Sequence, residues 1–244
     1  MNDLSVPFDQ IETPARLLGL VRTERGYPVP YFVQWIDAVP DFRVVDPHKM
    51  ANCVKGDLCW ICGKPMTAMR LRAFVGGPSC VINRISAEPP SHNDCAAYAA
   101  QACPFLAHPK MVRPDDNDLL AAGTAVTNPA AEIVERNPGV CAVWTPERYT
   151  IHPHGASLLW RLEAMGNIEW YAHGRLATRC EVQDALETAL AALVLACERQ
   201  ATSAHVAIAK RRLHVSYDVA VALLPTRTDA ARPLSTALTT RQRA

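Results

Sequence analysis

The chain has 244 residues, 49% of them apolar, and its 25 Lys and Arg balance 24 Asp and Glu to a formal net charge of +1. Length and apolar share supply a core for one large domain or two modest ones and exclude disorder over most of the chain. Balanced charge excludes a global pull towards nucleic acid or anionic membrane, so any such surface must be local. The longest apolar stretch, Ala189 to Cys197, falls short of the ~17 residues that cross a bilayer. Met1-Asn2-Asp3-Leu4-Ser5-Val6-Pro7 lacks the basic start and apolar run of a secretory signal. The sequence therefore predicts a soluble, cytoplasmic protein whose nine cysteines stay reduced.

In chain order, residues Thr13 to Val21 read as a short amphipathic helix, and Gly26-Tyr27-Pro28-Val29-Pro30 then forbids helix. Tyr31 to Ile36 and Phe42 to Val45 are rich in aromatic and β-branched residues on either side of Ala38-Val39-Pro40-Asp41, which predicts two paired strands. Residues 1–52 make up this first unit. A second unit, 53–110, carries six of the cysteines and is taken up below. Ala107 to Asn128 is polar and proline-containing and reads as a surface connection. Within 111–224, strands are predicted at Val140–Trp144, Ser157–Leu162 and Ile168–Ala172. The punctuation at Asn137-Pro138-Gly139, His152-Pro153-His154-Gly155 and Met165-Gly166-Asn167 makes them an antiparallel meander. Thr178-Arg179-Cys180-Glu181 has the spacing of a capping box, and Val182, Leu186, Leu190, Leu193 and Cys197 continue it as one apolar helical stripe. A second helix runs from about Ser203 to Leu223, ended by Pro225. Residues 225–244 read as a flexible tail.

The chemistry lies in the second unit. Cys59-Trp60-Ile61-Cys62-Gly63 spaces two thiols so that one tight turn points both at a single ion, with Gly63 free to adopt positive φ. Downstream, Pro89-Pro90 precedes Ser91, a good N-cap, and Ala96 to Ala102 is a strong helix former, so His92 and Cys95 fall on one face of a first helical turn. Between these pairs, Met69 to Val75, Gly76-Gly77-Pro78-Ser79 and Cys80 to Ile85 read as a hairpin. Knuckle, hairpin and two-ligand helix look like a treble-clef zinc finger. Zn²⁺ bound by Cys59, Cys62, His92 and Cys95 would be four-coordinate and closed, leaving no position for a catalytic water, so the expected role is structural. Cys53, Cys80, Cys103 and His108 lie near enough in sequence to replace one of the four, and Cys53 with Cys103 to form a second site.

Other candidates are His48 in Asp46-Pro47-His48, the pair His152 and His154, and His173. Arg70, Arg72 and Arg84 could line a phosphate-binding hairpin face. Lys210-Arg211-Arg212 fits the wet side of a helix, and Trp144, Trp160 and Trp170 fit a core better than a stacking platform. No P-loop, GxGxxG turn or GxSxG elbow is present, and no H-x-E pair precedes Cys59 as a nucleobase deaminase requires.

Gly26-Tyr27-Pro28-Val29-Pro30, Cys59-Trp60-Ile61-Cys62-Gly63, Cys80-Val81-Ile82-Asn83-Arg84, Glu88-Pro89-Pro90-Ser91-His92-Asn93-Asp94-Cys95, Cys103-Pro104-Phe105-Leu106 and Gly174 to Arg179 together resemble a family of bacterial and phage proteins with no assigned activity. The resemblance implies a bacterial or phage origin and an arrangement used as a unit. Treble clefs also underlie HNH-type nucleases, whose catalytic histidine ends the first hairpin strand; Arg70 to Val75 contains none. The expectation is an α+β protein: a treble-clef-like zinc module joined to a small antiparallel sheet and C-terminal helices. Its expected function is that of a zinc-stabilised binding protein contacting nucleic acid or a host protein. The alternative is a metal-dependent hydrolase or nuclease.

Overall fold

The computed structural model describes residues 6–66, 71–108, 139–155, 157–163, 166–200 and 203–226. Its helices and antiparallel strands form a mixed fold, in line with the α+β expectation. The predicted helix over Thr13 to Val21 is instead a run of turns in which Leu17 N–H donates to Pro14 and Leu20 N–H to Leu17. A segment this short does not nucleate a helix on its own, and here Leu17 is simply inserted into the core.

Strands β1 (Val33–Ile36) and β2 (Val39–Val45) pair as foreseen, joined by Asp37 and Ala38, both at positive φ, as a two-residue primed turn requires. Helix α1 (Pro47–Gly56) follows directly. Asp46-Pro47-His48 is the start of this helix: the Asp46 carboxylate accepts from the amides of His48 and Lys49, and Pro47 occupies the first helical position.

The predicted hairpin over 69–85 is the main correction. Among the described residues, β3 (Phe74–Gly76) is extended, but Pro78–Asn83 is a helix, α2, and β4 (Ile85–Ser86) joins a different sheet; residues 69 and 70 lie outside the described residues. Gly77-Pro78 starts a helix as readily as a turn, because the proline ring presets φ at the first helical position. The short apolar run Val81-Ile82, compatible with either element, is buried on that helix. After α3 (Asn93–Ala102) and the single turn α4 (Pro104–Ala107), the connection predicted over 107–128 falls outside the described residues from 109 onward.

The three predicted strands exist as β5 (Cys141–Thr145), β7 (Ser157–Glu163) and β8 (Asn167–Ala172), but they do not form a meander. His152-Pro153-His154 is the end of a further strand, β6 (Arg148–His154), which pairs with β7 residue for residue. Pro153 is tolerated there because β6 is an edge strand, where no partner needs its missing N–H. The result is two sheets, one ordered β3-β5-β8-β9 with β9 at Arg175–Leu176 and the other β4-β7-β6.

Strand β5 organises the core, all five of its residues being buried. Ala142 and Trp144 face one cluster with Phe74, Ile82, Trp160, Trp170, Val182 and Leu186; Cys141 and Val143 face another with Leu17, Ile61, Met66, Cys95 and Tyr98. Tryptophans 144, 160 and 170 are thus core residues, as the sequence suggested.

The helices α5 (Arg179–Gln200) and α6 (Ser203–Val221) lie where predicted. The capping box closes in both directions: Thr178 N–H donates to Glu181 Oε2 at 2.7 Å, and Glu181 N–H to Thr178 Oγ1 at 3.3 Å. Burial works to raise the Glu181 carboxyl, but bonds from Arg175 and Thr178 outweigh it and hold its pKa at about 2. A carboxyl lowered on folding stabilises the fold above its unfolded pKa of ~4.3, and the contribution is lost as pH falls towards the folded value. Glu181→Gln is therefore expected to cost about 1–2 kcal/mol at pH 7 by urea unfolding, shrinking towards zero between about pH 4 and 2. The tail beyond residue 226 lies outside the described residues.

Candidate metal centre

The knuckle is built from backbone bonds that need no ion. Cys59 N–H donates to Lys64 O at 2.9 Å and Gly63 N–H to Cys59 O at 2.8 Å, closing the turn, while Leu58 and Pro65 form a bridge across its base. Gly63 sits at φ +69, and a Cβ there would lie 2.6 Å from the Tyr31 ring, so both conformation and space demand glycine. The turn is braced from behind: Tyr31 N–H donates to Ile61 O, the Trp60 ring stacks on Phe32 at 4.8 Å, and Lys49 Nζ stands 5.8 Å over Tyr31 while donating to Val33 O.

Helix α3 brings the second pair. His92 is the N-cap residue, one later than the Ser91 expected, and Cys95 lies in the first turn. Ser91 instead bridges to Ala73, both its N–H and its C=O bonding that residue at 2.7 and 2.9 Å, which fastens the helix start to the segment leading into β3. Arg16 pairs with Asp94 at 2.5 Å and so ties the N-terminal turns to the same end of the helix.

These elements place the ligand atoms of Cys59, Cys62, His92 and Cys95 within 4.8 Å of one another, all four residues buried. Cys62 Sγ is 3.4 Å and Cys95 Sγ 4.0 Å from His92 Nδ1. A tetrahedral ion with bonds of about 2.3 Å to sulfur and about 2.0 Å to nitrogen spaces its ligands about 3.5–3.8 Å apart, so the group can hold a metal ion with little rearrangement. His92 Nε2 lies 3.3 Å from Pro65 O. A carbonyl only accepts, so Nε2 carries the proton and the Nδ1 lone pair faces the sulfurs, as metal ligation requires.

The amides of Cys62 and His92 both donate to Cys59 Sγ at 3.4 Å. Hydrogen bonds from the Cys62 and Cys95 thiols, with a smaller share from these amides, outweigh burial and hold the Cys59 thiol far below its usual range. The bond to Cys59 raises Cys62, and bonds to Cys59 and Cys62 together with burial raise Cys95. Among themselves the three sulfurs thus concentrate charge on Cys59. A dication supplies the field in which all three ionise.

Among the described residues no other group of three or more donors converges. Cys53, Cys80, Cys103 and His108 fall outside this one. Cys53 is buried on α1, its thiol pushed up to about 12 by burial and then by the nearby Cys59 and Cys62. Cys103 lies at the far end of α3. The histidines considered for catalysis sit on separate elements. His48 is exposed in the first turn of α1, His152 and His154 are exposed on β6, and His173 is in the β8–β9 turn, 3.9 Å from Glu181. His152 Nε2 lies 2.9 Å from Thr150 Oγ1, which donates to Glu163 at 3.2 Å on the outer face of the β6–β7 ribbon. Arg72 is paired with Asp57 at 2.6 Å, Arg84 occupies a left-handed position at the end of α2, and Arg70 lies outside the described residues.

The chain matches no protein-family model, curated protein or solved structure with which it was compared. Its reading rests on the donor set. Among the described residues no helix is long and apolar enough to cross a membrane.

The bracing of the knuckle by β1 and α1 was not legible in the motif. Tyr31 and Phe32 carry no ligand chemistry, and only the need for glycine at position 63 hints that something packs against the turn.

Proposed function

We propose that this is a zinc-stabilised binding protein, in which Cys59, Cys62, His92 and Cys95 hold one structural Zn²⁺. The observation that carries the reading is the burial of all four donors within 4.8 Å of one another. Three thiolates and an imidazole suit zinc, and a site filled by four protein ligands has no open position for an activated water. The resemblance to bacterial and phage proteins supports an origin in that group.

Of the two partner classes, a host protein is favoured over nucleic acid. The β1–β2 ribbon, whose base stacks on the knuckle through Phe32 and Trp60, exposes Trp35 by 40%, Val39 by 64% and Phe42 by 44%. Exposed aromatic and aliphatic side chains on a rigid element are the composition of a protein-binding hot spot. The charges nearest them are Asp37, Asp41 and Arg43, and Arg43 is held by Asp41 at 2.6 Å, so the ribbon offers no basic track for phosphates.

Elemental analysis is expected to find one zinc per chain. With Mg²⁺ or Mn²⁺ present the protein is expected to leave DNA and RNA intact, and a photocrosslinker at position 39 to join it to a host protein in a manner lost on Trp35→Ala. A metal-free folded protein overturns the zinc reading. Nucleic-acid cleavage that His48→Ala or His152→Ala abolishes would instead make it a hydrolase.

A further inference from the structure

Helix α6 carries two apolar seams, and only one of them has a partner among the described residues. The inner seam includes Leu213, Tyr217 and Ala220, which pack into the core with α5 and the sheet. Ile208 and Val215, seven residues apart and therefore within about 20° of one another around the helix, lie on the opposite face. They are 55% and 58% exposed. Val219 and Ala222 extend the same face, the helical bond from Ala222 N–H to Asp218 O carrying it through the last turn.

Two charged residues flank this seam on one side, Arg211 and Asp218, both exposed. Seven residues separate them, about 10 Å along the axis, too far to pair with each other. Neither has an ion pair among the described residues. By contrast Lys210, on the side turned towards α5, is paired with Glu198.

We propose that a second copy of this chain covers the seam, with two α6 helices packed antiparallel about a twofold axis at Val215. A twofold contact is self-complementary, so each residue must meet its counterpart reflected through the centre. Val215 then meets Val215 of the second copy, and Ile208 meets Ala222, a large residue against a small one at each end. On the flank the same operation brings Arg211 level with position 219 of the second copy, about 1.5 Å along the axis from Asp218 and within its reach, twice. Parallel packing about a twofold would instead turn this flank against the opposite one, bringing Arg211 beside the exposed Arg212 of the second copy and leaving Asp218 without a cation. Charge complementarity therefore selects both the occupant and its direction.

The test is sedimentation equilibrium of the full-length, zinc-loaded protein from about 1 to about 200 μM. The mass is expected to rise from one chain to two. Val215→Asp should weaken the association more than about tenfold. Asp218→Arg should weaken it about threefold or more, and the double variant Arg211→Asp/Asp218→Arg should restore it. All three positions are exposed, so each variant keeps its fold and zinc content, which circular dichroism and elemental analysis check. A one-chain mass across the whole range overturns the proposal, as does a dimer that Val215→Asp leaves intact. Failure of the charge swap to restore association overturns the antiparallel arrangement.

Discussion

Replacing Cys95 by serine is expected to abolish stable metal binding and to unfold the segment between the knuckle and the end of α3. The loss approaches the ~10 kcal/mol that structural zinc contributes in small metal-bound modules. Cys95 is fully buried beside Ala96, Ile61 and Met66 in the cluster that also takes in Leu17 and Tyr98. Losing one thiolate leaves the two remaining sulfurs and the imidazole to share an ion with water in a place from which water is excluded. Amide exchange should accelerate first in residues 58–66 and 91–98, whereas α5 and its contacts with Trp160 and Trp170 should hold longer, because that cluster contains none of the ligands. Exchange that stays slow in both regions, or a metal content that Cys95→Ser leaves unchanged, would show that the four residues are ordinary core. Chelation of the wild-type protein should reproduce the pattern, and lowering the pH should do so too. Ligation needs all three cysteines as thiolates, so protons compete with the ion for them, and metal held at neutral pH is released on acidification.

Gly63→Ala is expected to cost about 3 kcal/mol and to weaken metal binding without touching a ligand. Positive φ penalises alanine by about 1 kcal/mol, and the added methyl would lie 2.6 Å from Cδ2 and 2.7 Å from Cγ of Tyr31. The ring has little room to yield, since Lys49 lies over it and its own amide is bonded to Ile61. Moving it therefore moves the knuckle. A double variant separates the two causes. Tyr31→Ala in the Gly63→Ala background should recover the clash but not the backbone strain, so a coupling energy near zero between the two changes in denaturant melts would refute this account.

Most of the metal centre was legible in the sequence because its determinants are local. Two thiols two residues apart followed by glycine, and a histidine and cysteine three apart at a helix start, carry their geometry with them. The capping box at Thr178 and the stripes of α5 and α6 were legible for the same reason. The segment between the ligand pairs was not. Cys80 to Ile85 has an apolar run too short to choose between strand and helix, and Gly77-Pro78 serves as a turn or as a helix start. What decided was burial of Val81 and Ile82 against α5 and the sheet, a contact with residues a hundred positions later. Likewise the separation of β5–β8 from β6–β7 depends on where β3 and β4 insert, which no spacing in the strands records. Asp46-Pro47 carries a helix signal of its own, a carboxylate cap before a proline at the first helical position.

The alternation of β5 between two interiors gives that strand an unusual intolerance. Slipping its pairing with β8 by a single position would turn the Trp144 indole towards the sulfur cluster and send Cys141 and Val143 to the helices, so both halves of the molecule would be misfilled at once. Insertions and deletions should accordingly be rare in 141–145 among natural variants of this chain, yet common in the outer strand β6, most of whose residues face solvent.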